Sequence, residues 1–220
     1  MKSNSEEDYL KAIFSIIRES GGPASTNSIA EHLGMKASSA TDMVRKLDGK
    51  KLVNYTKYKG ATLTAKGEKI AVKIIRKHRL WETFLVKELN FKWDEVHDIA
   101  EQLEHIDSPE LVNRLDDHLG NPKYDPHGDP IPDRNGVISD DRMSAPLGKL
   151  KQGESALIIG VSDGSSSFLS YLEGEQLVLG AKIEILDFIE FDKSMKIKVG
   201  KKELNISERI TNNLLVQKIG

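Results

Sequence analysis

The chain has 220 residues, of which 38% are hydrophobic and 30% are charged, and its formal net charge is −2. This length supports a sizeable core and allows one to three domains. Because the chain contains no cysteine, disulfides and thiolate metal sites are excluded. Its start, MKSNSEEDYL, lacks the apolar core of a signal peptide, and no run of about 18 apolar residues occurs, so we expect a cytoplasmic protein without a membrane segment.

The charge is unevenly distributed along the chain. Residues 1–79 carry 16 Lys and Arg against 8 Asp and Glu, whereas residues 92–144 carry 5 against 14. A basic segment favours a polyanionic partner such as DNA, and an acidic segment that contains histidines favours cations.

The first two helices are predicted from their capping residues. Ser5, with Asp8 three residues later, is a candidate N-cap for the first helix, which carries a broad apolar stripe. Ser25 or Thr26 is the candidate cap of a short second helix that ends at Gly34.

A third helix over residues 36–47 has apolar residues Ala40, Val44 and Leu47 on one face, which predicts that this face is buried. The following LVNYTKYKGATLT alternates like two strands around a Lys-Gly turn. Two short helices across a tight turn, followed by this hairpin, predict a winged helix-turn-helix within residues 1–73.

In such a domain the second helix of the pair enters the major groove of double-stranded DNA. The outward-facing side chains of this helix and the wing are the candidate DNA-binding residues: Lys36, Ser38, Ser39, Thr41, Asp42, Arg45, Lys46, Lys57 and Lys59. The hydroxyl residues are expected to contact base edges, and the cationic ones to contact phosphates. Three-helix units with a hairpin also serve as protein-interaction domains, but the basic charge favours DNA.

Residues 74–145 are predicted to form a helical domain. A long helix from Thr64 carries His78 and Glu82, and a second helix over residues 93–106 carries His97, Glu101, Glu104 and His105. Residues three and four apart share a helical face, and imidazoles with carboxylates suit Zn, Fe, Mn or Ni better than Ca. The alternative is a solvated, charge-rich helix without a metal.

A third helix over residues 109–119 and a proline-rich loop over residues 120–145 complete this domain. The helices offer more apolar surface than one thin bundle needs, which favours a homodimer. In the loop, Asp125 and His127 flank a proline and could complete a metal site. A linker with incidental polar residues is the alternative.

From residue 146 to residue 220 the pattern changes to short alternating strands, which predict a small SH3-like β-barrel. The predicted fold class is therefore α+β and multidomain. This last segment contains no nucleophile–base pair, phosphate-binding glycine loop or redox motif, so it offers no residues that would support catalysis.

Several stretches together resemble the diphtheria-toxin-repressor family of metal-dependent transcriptional regulators. They include SEEDYLKAIF, IAEHLGMKASSATDMVRKLDGKKLV, RKHRLWETFL, EVHDIAEQLEH and GNPKYDPHGDPIP, followed by a barrel like those of iron-transport accessory proteins. The resemblance covers essentially the whole chain. It implies a homodimeric, metal-activated repressor that binds a palindromic DNA operator and controls genes of metal uptake.

The resemblance also implies two metal sites. The regulatory site falls on Asp8, Glu101, Glu104 and His105. The second site falls on His78, Glu82, His97, Asp125, His127 and Asp163. Iron-type members have Met and Cys at two of these positions. This chain, like manganese-type members, has Asp8 and Glu101 there, so we expect Mn²⁺, with Fe²⁺ as the alternative.

Two functions of other classes remain open at this point. A metal-dependent hydrolase could use Glu101 or Glu104 as a general base, provided that it had an open coordination position and a substrate pocket. A metal-insensitive interaction module would bind no metal tightly.

Overall fold

The computed structural model describes residues 3–219; Met1 and Lys2 of the predicted DNA-binding segment and Gly220 of the predicted barrel lie outside this range. The chain divides into two compact units. The first unit comprises Met1–Trp81, Glu101–Leu115 and Pro132–Ile138, and the second unit comprises Glu82–Ala100, Asp116–Ile131 and Ser139–Gly220. Residues of the expected middle domain, 74–145, contribute to both units.

The first unit contains the predicted winged helix-turn-helix. Its elements are α1 (Asn4–Ser20), α2 (Thr26–His32), α3 (Ala37–Gly49), β1 (Val53–Thr56) and β2 (Gly60–Leu63). The two strands pair in antiparallel fashion as the wing. Ala40, Val44 and Leu47 are buried in the core of this unit, as their spacing predicts. Ser25 caps α2 by accepting a hydrogen bond from the Ser28 N–H.

The start of α1 differs from the prediction. Ser3 is the N-cap, its side chain makes no capping hydrogen bond, and Ser5 already lies inside the helix. The Glu6 N–H donates to the Ser3 carbonyl at 2.9 Å, and the helix begins at Asn4, two residues earlier than a Ser5 cap implies. The carboxylates of Glu6 and Glu7 consequently lie in the first turn, where the helix dipole favours negative charge.

Three helices follow the wing: α4 (Ala65–Leu89), α5 (His97–Leu103) and α6 (Pro109–His118). The Thr64 hydroxyl accepts the Gly67 N–H at 3.1 Å at the start of α4, and Asn90, with φ 57°, follows its end. A Cβ at Gly67 would lie 1.9 Å from the Leu52 carbonyl oxygen. Glycine is therefore required where α4 begins beside the wing.

The helix predicted over residues 93–106 is shorter than expected. Residues 93–96 form a turn, in which the Lys92 N–H donates to the Glu95 carboxylate at 3.0 Å, and α5 begins at His97. Glu104 and His105 lie in a turn after α5. The prediction that they share one face of a continuous helix with His97 was wrong.

The second unit is built around a six-stranded antiparallel sheet in the order β3-β8-β4-β5-β6-β7. The elements are β3 (Ala145–Pro146), β4 (Ser155–Val161), α7 (Ser166–Gly174), β5 (Lys182–Ile189), β6 (Ser194–Val199), β7 (Lys202–Ile206), α8 (Glu208–Asn213) and β8 (Leu214–Ile219). Leu147, Ile158, Leu172 and Ile197 are buried in its core. This sheet confirms the predicted SH3-like domain; β3 and α8 were not predicted.

Residues 120–144 contain no helix or strand, as expected of the proline-rich loop. Among residues 3–219, none of the helices has the length and apolar character needed to cross a membrane.

Candidate metal centres and DNA-facing surface

The first unit brings together Asp8, Glu104 and His105, which we call the first centre. Asp8 lies near the start of α1, directly after its first turn, and the other two residues lie in the turn after α5. One potential ligand atom from each lies within 4.8 Å of the others. Nε2 of His105 is 2.9 Å from Oδ1 of Asp8. Two carboxylates and an imidazole are suitable ligands for a transition-metal cation.

The ring of His105 is oriented by a second carboxylate from α1. Its Nδ1 atom lies 2.9 Å from Oε2 of Glu7, so its other nitrogen faces Asp8. A carboxylate on the far nitrogen is the usual partner of a metal-binding histidine, because it fixes the ring and raises its basicity. Glu7 was not predicted; the acidic run at the start of α1 was its signal in the sequence.

Glu104 is the buried member of the first centre. Its Oε2 atom contacts Nδ1 of His78 at 2.6 Å and Nζ of Lys11 at 2.8 Å. Burial alone would raise the pKa of Glu104, but the hydrogen bond from His78 and the charge of Lys11 outweigh it and lower that pKa. Its Oε1 atom is buried without a hydrogen-bond partner. An unpartnered carboxylate oxygen in this position fits a cation ligand.

Two residues expected as ligands lie elsewhere around this centre. The side chain of Glu101 is half exposed, and its Oε1 atom lies 3.3 Å from Nζ of Lys11. His78, expected at the second site, hydrogen-bonds Glu104 within the first unit. The role of both residues as ligands stays a prediction.

The second unit brings together Glu82, Asp125 and His127, which we call the second centre. Glu82 comes from α4, and the other two come from the proline-rich loop. Oε2 of Glu82 lies 3.6 Å from Nδ1 of His127, and Oε1 lies 3.5 Å from Nδ1 of His97. The side chain of His97 is mostly exposed, so it lies at the rim of this centre.

His127 carries a positive charge at neutral pH. Burial opposes this charge, but the hydrogen bond and charge of Glu82 and the charge of Asp125 raise the pKa of His127 to about 9. Its Nε2–H donates to the Trp93 carbonyl at 2.8 Å, and the ring stacks on Trp93. The second centre is therefore a buried imidazolium between two carboxylates.

The loop that carries the second centre is fixed against β4. Gly128 has φ +89°, and a Cβ there would lie 2.2 Å from the Ile159 carbonyl oxygen. The Arg142 guanidinium donates to the same carbonyl at 2.6 Å and lies over the Tyr124 ring. Asp125 accepts the His127 N–H at 2.8 Å. These contacts position Asp125 and His127 on a loop without regular structure.

Asp163, the last expected ligand, has different partners. Its side chain accepts the Ser165 N–H at 2.9 Å and lies 3.6 Å from Nη2 of Arg209. The groups of candidate ligand atoms within the described residues do not include it. The role of Asp163 as a ligand stays a prediction.

The expected DNA-binding residues occupy α3 and the wing. Lys36, Ser38, Ser39, Asp42, Arg45, Lys46, Lys57 and Lys59 are exposed, and Thr41 is half-buried. The Thr41 hydroxyl donates to the Ala37 carbonyl at 2.8 Å, and Asp42 lies 3.9 Å from Arg45. At the wing tip Tyr58 is almost fully exposed beneath the Lys57 ammonium. Tyr58 was not predicted as a DNA-facing residue.

Glu6 connects α1 to the end of α3. It is buried, and its Oε1 atom lies 2.9 Å from Nζ of Lys46 and 2.6 Å from Nζ of Lys50. These two lysines lower the pKa of Glu6, which is therefore ionised at neutral pH. Lys46, expected at a phosphate, is thus already paired with Glu6. Neither Glu6 nor Lys50 was identified from the sequence.

A winged helix whose first helix supplies a candidate ligand to a carboxylate–imidazole centre defines the class of metal-responsive DNA-binding regulators. Family models agree with this class over most of the chain. Residues 1–61 match "Iron dependent repressor, N-terminal DNA binding domain", residues 64–133 match "Iron dependent repressor, metal binding and dimerisation domain", and residues 145–218 match "FeoA domain".

Individual relatives lead to the same family. An uncharacterised HTH-type transcriptional regulator of Methanocaldococcus jannaschii is 41% identical over 51% of this chain and 90% of its own length. The HTH-type transcriptional regulator MntR of Oceanobacillus iheyensis is 38% identical over 53% of this chain and 78% of its own. A solved structure described as "Manganese-dependent transcriptional repressor complex with manganese" is 34% identical, with a TM-score of 0.87 over 97% of this chain and 100% of that one.

The chain therefore belongs to the diphtheria-toxin-repressor family of metal-dependent transcriptional repressors, as its motifs predicted. This family consists of DNA-binding regulators and not of enzymes, so the hydrolase alternative is set aside.

Proposed function

We propose that this chain represses genes of metal uptake by binding a palindromic operator as a homodimer when Mn²⁺ occupies the first centre. The observation that carries the proposal is the position of Asp8. Asp8 lies near the start of α1, within the DNA-binding domain, and contacts His105, which belongs to the turn after α5. We infer that the protein acts in the cytoplasm, where it meets its operator.

Asp8, Glu104 and His105 would hold the cation, with Glu7 fixing the ring of His105. A bound divalent cation supplies the positive charge that Asp8 and Glu104 share. These residues would then hold the start of α1 against the turn after α5. Glu6, on the same turn of α1, transmits this constraint to α3 through Lys46 and Lys50. The DNA-facing residues of α3 are thereby held in one arrangement.

The donor chemistry of the first centre favours Mn²⁺ over Fe²⁺. The centre offers carboxylates and an imidazole, and the chain has no cysteine to supply a softer ligand. Carboxylate-rich sites suit Mn²⁺, although later transition metals bind most sites more tightly in absolute terms. The similarity over almost the whole chain to a manganese-dependent repressor solved in complex with manganese supports the same choice.

On the DNA, Ser38 and Ser39 would contact base edges, while Lys36, Arg45 and the wing lysines Lys57 and Lys59 would contact phosphates. Thr41 and Asp42 lie beside them on α3. The match of residues 64–133 to a metal-binding and dimerisation domain supports a dimer. A two-fold dimer places two α3 helices on a two-fold symmetric site.

The second centre would hold a cation less readily. Glu82, Asp125 and His127 form a suitable donor set, but a cation there must displace the proton from His127. We propose that this centre stabilises the second unit and that the first centre regulates DNA binding.

The proposal is tested by a gel-shift titration with a duplex that the protein selects from a random pool in Mn²⁺. We expect affinity about 100-fold higher in Mn²⁺ than in EDTA, which corresponds to about 2.7 kcal/mol of coupling. Equal affinity in both conditions would contradict it. Repeating the gel shifts at buffered free concentrations of Fe²⁺, Co²⁺ and Zn²⁺ tests which cation activates DNA binding. Activation by Fe²⁺ at lower free concentrations than Mn²⁺ would overturn the choice of Mn²⁺.

A further inference from the structure

Lys11 places a positive charge against the carboxylates around the first centre. It lies on α1, one helical turn after Asp8, and its side chain is 17% exposed. Its Nζ atom lies 2.8 Å from Oε2 of Glu104 and 3.3 Å from Oε1 of Glu101. Because Glu104 is buried, water and salt screen this ion pair weakly. The pair compensates a carboxylate that would otherwise carry an unpaired buried charge.

The Lys11 ammonium and a cation in the first centre would compete for the same carboxylate. Glu104 supplies a candidate ligand atom to that centre and is also in direct contact with Nζ of Lys11. Two positive charges a few ångströms apart repel strongly where water is excluded. A divalent cation therefore fills the centre fully only when the ammonium moves away. That movement also breaks the contact between Lys11 and Glu101, the expected fourth ligand.

We propose that Lys11 is a built-in competitor that sets the divalent-cation concentration at which the first centre fills. The inference rests on the proposed role of the first centre as a cation site. In the cation-free protein Lys11 keeps the buried Glu104 charge compensated, which stabilises that state. Each cation that binds must first displace this ammonium. Lys11 thus raises the threshold for metal-dependent repression without touching DNA.

The first test is isothermal titration of Mn²⁺ into chelator-stripped, full-length protein. Lys11→Gln removes the competing charge, so we expect Mn²⁺ affinity about 10- to 100-fold higher than in the wild type, because two cations no longer repel each other at a weakly screened carboxylate. Lys11→Arg keeps the charge and is expected to change affinity by less than about threefold. The matched control is Lys69→Gln, an exposed position on α4, which is expected to leave affinity unchanged. Unchanged or weaker binding by Lys11→Gln would overturn the inference.

A second test uses the wild-type protein and does not depend on the folding of a variant. On saturation with diamagnetic Zn²⁺, the NMR signals of the Lys11 Cε–H group are expected to shift to the positions of a solvated lysine. Signals that stay in place at saturation would overturn the inference. If the wild type binds no divalent cation in either experiment, the proposed function itself fails. Binding that is indifferent to Lys11 rejects the competitor role alone.

Discussion

The two centres contain the same residue types but balance their charges differently. In the first centre, Glu104 is paired with a lysine from α1, and one of its buried oxygens has no partner. In the second centre, a protonated His127 lies between Glu82 and Asp125 and compensates part of their negative charge. A divalent cation thus replaces an ammonium at the first centre, whereas it must expel a proton from the second.

The two centres also differ in what they are attached to. Asp8 and Glu7 lie on the same turn of α1 as Glu6, which is paired with the end of α3. The second centre is held by a loop fixed to β4 through Gly128 and Arg142. We therefore propose that cation binding at the first centre affects α3, whereas the second centre stabilises the second unit.

The largest effect is expected from Glu104→Gln. This variant removes the charge that the first centre and Lys11 share, so we expect Mn²⁺ affinity at that centre to fall by at least about 100-fold. Isothermal titration of the full-length protein measures the change. Glu82→Gln is the matched control, because it removes one carboxylate from the second centre and should leave the first-centre affinity in place. A Glu104→Gln protein with wild-type affinity would place the regulatory cation elsewhere.

A smaller effect is expected from Glu6→Gln, which keeps the shape of the side chain but removes its charge. Because the two partner lysines are half exposed, we expect a loss of about 1–2 kcal/mol in the free energy of unfolding at pH 7. Urea unfolding measures this loss. The pKa of Glu6 is lowered in the folded state, so its contribution is present above its ordinary value near 4.5 and is lost as the pH falls below it. If the difference in unfolding free energy between the wild type and Glu6→Gln stayed the same at low pH, this role of Glu6 would be contradicted.

Arg45→Ala tests the DNA-facing surface. Removing one phosphate contact should lower the slope of log affinity against log salt by about one unit and weaken binding to all sequences alike. Gel shifts in Mn²⁺ across a salt series measure the slope. Lys201→Ala, an exposed position in the turn between β6 and β7, is the control for an equal loss of charge. An unchanged slope with Arg45→Ala would mean that α3 docks differently.

The smallest effect on DNA binding is expected from His127→Gln, at less than about threefold, because His127 belongs to the second unit and α3 to the first. Cation binding at the second centre should nevertheless depend strongly on pH. With a pKa of about 9, His127 binds a proton at neutral pH, so cation affinity should rise about tenfold per pH unit between 7 and 9. Titrations in buffers of different ionisation enthalpy should report release of about one proton. Affinity at the second centre that is independent of pH would show that His127 is not a ligand.

The same raised pKa predicts how His127 affects stability. A group whose pKa is higher in the folded state contributes stability fully below its unfolded pKa near 6.5, and this contribution is lost as the pH rises through about 9. The difference in unfolding free energy between the wild type and His127→Gln should narrow over this range.

Periodicity and capping were sufficient to predict the winged helix. Ala40, Val44 and Leu47 are buried as their spacing indicates, and Ser25 caps α2. The helix over residues 93–106 was predicted too long. The Glu95 side chain accepts the Lys92 N–H and favours a turn there, and hydrophobic periodicity gives no information on such a local hydrogen bond.

The centres were predicted less completely than the fold, because their partners are far apart in sequence. Glu7 and Lys11 contact His105 and Glu104 across more than 90 positions, and no local spacing encodes such contacts. For the same reason the hydrogen bond between His78 and Glu104, 26 positions apart, was not predicted, while the expected role of His78 at the second site stays a prediction. The burial of Glu6 was not predicted, because Glu6, Glu7 and Asp8 follow one another and such an acidic run is typical of an exposed helix start.

The central claim is that the first centre, and not the second, controls DNA binding. Its most direct test is the ratio of DNA affinity in Mn²⁺ to that in EDTA, measured for the wild type, Glu104→Gln and Glu82→Gln on the same selected duplex. We predict a ratio of about 100 for the wild type and for Glu82→Gln, and a ratio near one for Glu104→Gln. A ratio that collapses in Glu82→Gln but survives in Glu104→Gln would contradict this claim.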